Sequence, residues 1–496
     1  MARAIMVQGT MSNAGKSILT AALCRIFRQD GLRAAPFKSQ NMALNSFITR
    51  DGLEMGRAQV VQAEAAGIEP DARMNPILLK PTHNQGSQVI VNGAPIGTIS
   101  ARNYFAMKRE LRPKVQEAYD SLAADYDVVV IEGAGSPAEL NLNADDFVNM
   151  GMARMAGAPV LLVGDIDRGG IFPQLYGTIK LLPPRDASRI KATIVNKFRG
   201  DITLFDDGVK ILEEICGAPC AGVVPYLDVD IEDEDSLSTR LARRDRNAAL
   251  DIAVVGMPHI SNFTDFTALE ATPGVGLRYA GSAEDLGSPD MVILPGTKST
   301  IADLLRLREC GLEAAVKRLA ARGVAILGLC GGYQMLGESV TDSEGMEGGG
   351  SVAGMGLLPV TTRFSAEKRR ARVTASALSV GGILAPLTGA KLEGYEIHMG
   401  VTERAPDAQP LIQLADGALD GCQSGNVYGT YLHGFFDSAA CRDAALGALA
   451  RSKGVTLADR AFDYARYKQR QFDILAQGVR ERLNMPLIYN ILERGA

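Results

Sequence analysis

The sequence has little of what would indicate a disulfide framework, a zinc site or a basic nucleic-acid surface. Its 496 residues include seven scattered cysteines, an odd number without paired CxxC spacing, and only four histidines. The formal net charge of −5 argues against a general nucleic-acid binder, which would carry a basic domain or stripe. No apolar run approaches the roughly 18 residues that span a bilayer, and no charged leader with a long apolar stretch precedes the first strand. We therefore expect a cytoplasmic protein without nucleic-acid or membrane partners.

A glycine-bounded loop near the start of the chain is typical of a nucleotide phosphate site. It runs from Gly9 to Ser17, after an apolar stretch and before an apolar-periodic segment from Ile18 to Phe27, so it joins a strand to a helix. Backbone N–H groups and the Lys16 ammonium would face the phosphates, and the Ser17 hydroxyl would ligate Mg²⁺. Its spacing, longer by one residue than the common P-loop, resembles the loop of dethiobiotin synthetase. The predicted ATP-binding residues of this loop are Gly9, Thr10, Ser12, Gly15, Lys16 and Ser17.

Strands that alternate with helices along the first half predict a mostly parallel sheet. One apolar, β-branched run ends at Glu132, whose carboxylate would ligate Mg²⁺ together with Ser17. Another strand runs into Asn196, which either reads the adenine edge or serves as a turn residue. The polar segment from Lys38 to Ser46 follows a short strand, and it either lines the site or is a solvated connection.

A charge-patterned stretch separates the two halves of the chain. It is acidic from Asp228 to Asp235, basic from Arg240 to Arg246, and poor in apolar residues. We predict a P-loop, dethiobiotin synthetase-like domain over residues 1–235 and a second α/β domain over residues 250–496. An apolar stripe at helical spacing predicts a C-terminal helical tail in the second domain, built from Phe472, Leu475, Val479 and Leu483.

The second half contains a strand, a glycine-flanked turn centred on Cys330 and then a helix, a pattern typical of a nucleophile elbow. Glycines on both sides would allow the strained turn that exposes Sγ, and the N–H groups that follow would lower the thiol pKa and stabilise an oxyanion. A thiolate nucleophile needs a base. We predict that this base is His433, at the end of a β-rich run, rather than His398.

Taken together, these motifs resemble the glutamine-hydrolysing cobyric acid synthase family of cobalamin biosynthesis. The resemblance runs end to end, and its most specific motifs are residues 36–42, 74–76, 195–201 and 395–398. It implies an α/β protein with a P-loop NTPase-like parallel-sheet domain, followed by a class I glutamine amidotransferase-like α/β domain whose glutaminase pair is Cys330 and His433.

The third member of the glutaminase site stays open at this point. Ordinary class I amidotransferases carry a Glu two residues after the catalytic histidine, and this chain has Phe435 there. A carboxylate from elsewhere would then orient the imidazole, and three candidates are Glu396, Glu393 and Asp437.

The resemblance also implies a reaction. The chain would use ATP, Mg²⁺ and glutamine-derived ammonia to amidate the b, d, e and g carboxylates of adenosylcobyrinic acid a,c-diamide through acyl phosphates. Its partners would be small molecules, namely a corrinoid polycarboxylate, glutamine and ATP, and a homo-oligomer is an open alternative. Two alternatives to this reaction are that of a cobyrinic acid a,c-diamide synthase and that of a switch ATPase of the MinD or ParA kind. The switch ATPase would leave the turn at Cys330 unexplained.

Overall fold

A computed structural model describes residues 2–81, 86–142, 145–232, 248–457 and 462–496. The chain forms two compact units. The first unit comprises Met1–Ala43, Leu53–Asp235 and Arg466–Ala496, and the second comprises Leu44–Gly52 and Ser236–Ala465. Most of the predicted charge-patterned boundary, residues 233–246, lies outside the described residues.

The first unit is built on a parallel sheet of six strands. Every residue of Val128–Glu132 and Val160–Asp165 is buried, as expected for a parallel sheet that is covered on both faces. Since Arg3–Gly9 pairs in parallel with Val128–Glu132, the carboxyl ends of these two strands meet at one edge, beside the P-loop. The strand order across the sheet is Cys220–Pro225, Ile190–Phe198, Val160–Asp165, Arg3–Gly9, Val128–Glu132 and Ala34–Phe37.

The other elements of the first unit include a small mixed sheet. The polar segment after Phe37 continues into a strand, Gln40–Met42, which pairs in parallel with Ile77–Pro81. The remaining strands are Glu54–Gly56, Gly86–Val91 and Ala94–Ser100. The α-helices are Lys16–Gln29, Arg57–Ala66, Ala101–Asp125, Met150–Met155, Ile171–Leu181, Pro184–Ala187, Asp206–Cys216, Tyr464–Arg480 and Met485–Arg494.

The C-terminal helices complete the hydrophobic core of the first unit. The apolar stripe has the expected helical spacing, and its side chains are buried in one cluster with Ile5 and Leu19. Beside it, the buried Arg25 on the P-loop helix pairs with Asp473 at 2.8 Å. The sequence assigned this tail to the second domain, whereas the structure places it with the first. The reason is that a stripe specifies a buried helix face but not which core covers it.

The second unit is an α/β domain around a sheet of six strands. All neighbouring pairs in it are parallel except the last, which is antiparallel. Because Ala325–Leu329 and Val427–Thr430 are parallel neighbours, the residues that follow them emerge at the same edge. The order is Val275–Ala280, Leu250–Val255, Met291–Leu294, Ala325–Leu329, Val427–Thr430 and Cys422–Ser424.

A second sheet and several helices surround this core. The other strands are Ser46–Ile48, Ser339–Asp342, Gly350–Ala353, Val360–Ala377, Lys391–Arg404, Ile412–Leu414 and Leu419–Asp420. The helices are Thr267–Glu270, Ala283–Leu286, Thr300–Glu309, Leu312–Ala321, Gly331–Leu336 and Ala439–Lys453. Within the part of the chain that the structure describes, no helix is long and apolar enough to span a bilayer.

Candidate functional site

The P-loop lies between strand Arg3–Gly9 and helix Lys16–Gln29. Its turn requires left-handed backbone at Gly15, where φ is 94°, a conformation that glycine adopts without steric cost. The Lys16 ammonium folds over the loop and donates to the carbonyls of Met11 at 3.0 Å and Gly135 at 3.3 Å. Thr10 donates to Gln174 at 3.1 Å. The loop is therefore pre-shaped for an anion.

Asn196 supports this loop through its side chain. It lies inside strand Ile190–Phe198, which extends beyond the predicted strand end, and its Nδ2 donates to the Ala14 carbonyl at 2.9 Å. A Cβ at Gly15 would lie 2.0 Å from the same Nδ2, so this glycine also makes room for the amide. These contacts show that Asn196 supports the P-loop. Its recognition of adenine stays a prediction.

A buried polar cluster surrounds Glu132 next to the P-loop. One carboxylate oxygen, Oε1, lies 2.7 Å from the Ser17 hydroxyl and 3.0 Å from the Lys38 ammonium. The other, Oε2, accepts from Gln62 at 2.5 Å. Burial raises the pKa of Glu132, but Lys38 and the hydrogen bonds more than offset this effect and hold it below its usual value. The sequence predicted Ser17 and Glu132 here, left Lys38 in a segment that either lines the site or is a solvated connection, and gave no indication of Gln62.

This cluster fits a magnesium ion held together with phosphate oxygens. Ser17 and Glu132 supply hard oxygen donors, which Mg²⁺ prefers, and Gln62 Oε1 is buried without a hydrogen-bond partner among the described residues. No group of three or more His, Cys, Asp or Glu side chains in the described ranges could hold a metal. A cation at this site would thus be bound jointly by protein and nucleotide.

In the second unit, Cys330 occupies the sharp turn between strand Ala325–Leu329 and helix Gly331–Leu336. Its φ is 51° and its ψ is −108°, a conformation that costs a non-glycine residue about 1–3 kcal/mol and is concentrated at functional sites. Close packing explains one flanking glycine, because a Cβ at Gly332 would lie 2.1 Å from the Leu294 carbonyl oxygen. The turn therefore has the strained form that was predicted for a nucleophile.

His433 is held by a carboxylate that sequence reasoning did not identify, Asp265. Its Nδ1 lies 2.7 Å from Asp265 Oδ2, and Asp265 Oδ1 accepts from the Gly434 N–H at 3.0 Å. Burial alone would lower the pKa of His433, but Asp265 and Cys330 raise it to about 10. Asp265 therefore favours the protonated form of the imidazole.

Known proteins resemble each half of the chain and the whole of it. Residues 5–238 match the CobQ/CobB/MinD/ParA nucleotide binding domain, and residues 251–441 match the CobB/CobQ-like glutamine amidotransferase domain. Over 100% of its length the chain is 53% identical to a cobyric acid synthase of Ruminiclostridium cellulolyticum, 98% of which is covered. It is 52% identical to that of Lachnoclostridium phytofermentans, with 100% of both chains covered. It is 51% identical to that of Klebsiella pneumoniae subsp. pneumoniae, with 100% and 99% covered.

The chain belongs to the cobyric acid synthase family. Its two domain matches and the two α/β units confirm the predicted fold class. Membership also confirms the predicted enzyme class, a ligase that is a glutamine amidotransferase. The nucleotide-binding domain match supports ATP as the ligand of the P-loop.

The other candidate residues of this cobyric acid synthase family member make different contacts. His398 Nδ1 bonds the Gly400 carbonyl at 2.8 Å, its ring stacks on Tyr431 at 3.7 Å, and burial lowers its pKa to about 4. Glu396 pairs with Arg369 at 2.5 Å. Glu393 is exposed on its strand, and the Asp437 N–H donates to the Gly434 carbonyl at 3.0 Å. The carboxylate that contacts His433 Nδ1 is that of Asp265.

Proposed function

We propose that the protein makes adenosylcobyric acid by ATP-dependent amidation of the b, d, e and g carboxylates of adenosylcobyrinic acid a,c-diamide, with ammonia taken from glutamine. One observation carries the proposal: a single chain combines a strained Cys330 near the His433–Asp265 pair with a P-loop whose Lys16 folds over the loop and whose Ser17 bonds the buried Glu132 carboxylate. Glutamine hydrolysis and carboxylate activation need these two kinds of site.

The second unit would release ammonia from glutamine. The Cys330 thiolate attacks the side-chain amide carbon, and the His433 imidazolium donates a proton to the departing ammonia, leaving a γ-glutamyl thioester. His433, now neutral, takes a proton from water as the water attacks the thioester and glutamate leaves. Asp265 holds the imidazole through Nδ1, which directs Nε2 to the reaction.

The first unit would activate the substrate carboxylate. The P-loop and Lys16 bind the ATP phosphates, and Lys38 adds a second buried ammonium at 3.0 Å from Glu132. These charges stabilise a transferring phosphoryl group in a site where water is scarce. Mg²⁺, when bound by Ser17 and Glu132, adds further positive charge. The substrate carboxylate attacks the γ-phosphorus of ATP and ADP leaves, which gives an acyl phosphate. Ammonia then attacks the acyl carbon, phosphate leaves together with a proton from the nitrogen, and an amide remains.

The proposal is tested by incubating the protein with adenosylcobyrinic acid a,c-diamide, glutamine, ATP and Mg²⁺ and counting new amides by mass spectrometry. Four new amides support it. Amidation of cobyrinic acid at two carboxylates, with the diamide left unchanged, would favour the a,c-diamide synthase. If neither corrinoid changes while ATP drives self-association, the switch ATPase becomes the better proposal.

A further inference from the structure

The segment of residues 44–52, here called the strap, packs in the second unit although the sequence on both sides of it belongs to the first. Its strand Ser46–Ile48 and the flanking Asn45 and Thr49 are almost wholly inaccessible to solvent, apart from the half-buried Phe47. A solvated connection would not bury its side chains in this way. The strap therefore has a specific packing role in the second unit.

The first set of strap contacts reaches the turn that carries Asp265. Asn45 Oδ1 accepts from the Phe263 N–H at 3.3 Å, and the Ser46 N–H donates to Asn262 Oδ1 at 3.5 Å. Asn262 has φ of 53° and opens the short 3₁₀ turn that contains Asp265. Its Nδ2 lies 3.4 Å from His433 Nδ1. One amide thus contacts both the strap and the imidazole.

The second set of strap contacts reaches His433 through Tyr395. The Tyr395 hydroxyl donates to the Ser46 carbonyl at 3.4 Å, and its ring meets Phe47 edge-on at 5.6 Å. The same ring stacks on His433 with centroids 5.1 Å apart and planes 16° apart. The Tyr395 and His433 backbones also exchange hydrogen bonds of 3.2 Å and 2.9 Å. Ile48 packs beside Tyr395 in the same apolar cluster.

We propose that the strap fixes the orientation of His433 for glutamine hydrolysis, with Asn45 and Phe47 as positioning residues. The inference rests on the proposed glutaminase role of Cys330 and His433. The strap would thus act in the second unit, although the residues on both sides of it in the sequence belong to the first unit. Since the strap contacts both Asn262 and Tyr395, and each of these contacts the imidazole, a small shift of either neighbour would misalign the proton donor. Misplacement by about 1 Å can cost on the order of 100-fold in rate.

The test uses the full-length protein with Asn45→Ala, which removes the bond to the Phe263 N–H from the first contact set, and Phe47→Leu, which removes the ring contact with Tyr395 from the second. Glutamate release is measured over a range of glutamine concentrations. We expect kcat to fall about 10-fold to 100-fold with KM unchanged, because the strap orients the base rather than binding glutamine. Asp51→Asn is the control: Asp51 is exposed at the end of the strap, its bond from Thr49 survives the change, and kcat should stay within a factor of two, roughly a normal surface effect.

A second readout follows the alkylation of Cys330 by iodoacetamide, mapped by peptide mass spectrometry. The half-buried Cys310 is the internal reference. In Asn45→Ala and Phe47→Leu, Cys330 should react more slowly than in the parent while Cys310 is unchanged, because a nucleophilic cysteine depends on an aligned neighbouring base.

Three outcomes would overturn the proposal. They are unchanged kcat in both variants, a rise in KM at constant kcat, and an equal loss of ammonia-dependent amidation, which would assign the strap to the general fold. Failure of the proposed corrinoid reaction is distinguishable, since the parent protein would then release glutamate from glutamine without amidating any corrinoid.

Discussion

At the scale of single residues, Asp265 decides the charge on His433. Both side chains are buried, and a charged imidazole there would be costly without its carboxylate partner. With that partner, the pKa of His433 rises to about 10. A protonated imidazole near Cys330 can donate a proton to the group that leaves during the reaction.

Asp265→Asn should therefore slow glutamine hydrolysis by about 100-fold or more, since a positioned acid/base pair contributes on the order of 10²–10⁴. It should also move the alkaline limit of kcat/KM to lower pH, because the pKa of His433 loses the contribution that raises it. The measurement is a pH profile of glutamate release. Glu393→Gln, which neutralises an exposed carboxylate, serves as the control. An alkaline limit that stays in place would contradict this account of the His433 charge.

The same pair predicts a pH-dependent stability. The folded pKa of His433, about 10, lies above the ordinary value of roughly 6.5 that we assign to the unfolded chain. The pair therefore stabilises the fold fully below about pH 6.5, and this contribution is lost as the pH rises through 10. We expect the difference in unfolding free energy between the parent and Asp265→Asn to shrink from pH 6.5 to pH 10 in urea titrations. A constant difference would rule out this coupling.

Lys38 is the corresponding residue of the nucleotide site. Lys38→Met should lower ammonia-dependent amidation by about 10²–10³, the usual loss when one preorganised electrostatic contact to a transition state is removed. Glutamine hydrolysis measured alone should persist. The exposed Lys180→Met provides a matched control. Full ammonia-dependent activity in Lys38→Met would show that Lys38 only balances the charge of Glu132.

How far the site residues could be predicted depends on how local their signals are. Lys16, Ser17 and Cys330 lie in short strand–loop–helix patterns, and their local geometry has the predicted form. Asp265 and His433 are 168 residues apart in the sequence. A local sequence pattern cannot show that two such distant residues come into contact. The position of Asp265 in the connection after strand Leu250–Val255, at the carboxyl edge of a parallel sheet, was the available signal.

At the scale of elements, the C-terminal helix Tyr464–Arg480 contributes to stability through one face. Phe472 is fully buried in the core of the first unit, whereas Ile474, two residues along, is 43% exposed. The stripe was readable from sequence because its spacing follows the helix period. The core that the helix joins could not be read from the sequence. It depends on the path of the chain over the preceding 230 or so residues, which a local periodicity does not describe.

Phe472→Ala should lower the free energy of unfolding of the first unit by about 3–5 kcal/mol, the range for truncating a buried phenylalanine. Ile474→Ala should change it by about 0.5 kcal/mol or less, as at most surface positions. Urea unfolding of the first unit, followed through the loss of ATP binding, would measure both free-energy changes. Similar losses in the two variants would contradict the assignment of the buried face.

At the scale of the whole molecule, the two proposed half-reactions use different units. The Cys330 site is built from residues of the second unit, and the P-loop cluster from residues of the first. Each site should then function when the other is disabled, provided that its own substrates are supplied.

Cys330→Ala should abolish glutamine-dependent amidation and leave ammonia-dependent amidation close to the parent rate, because the nucleophile is absent while the P-loop site is intact. Mass spectrometry of the corrinoid with either nitrogen source measures both activities. Lys16→Ala is the reciprocal variant and should lose both kinds of amidation. Loss of the ammonia-dependent reaction in Cys330→Ala would refute the division of chemistry between units.

The packing of residues 466–496 against the first unit also sets the order in which the protein can fold on the ribosome. Helix Lys16–Gln29 and strand Arg3–Gly9 are made before the second unit, yet the apolar surface that covers them is made after it. At about 5–20 residues per second, the chain between Asp235 and Arg466 takes on the order of 10–50 s to synthesise. The nascent first half therefore waits with an uncovered core, and the half of the protein that is synthesised second is the first that can finish folding.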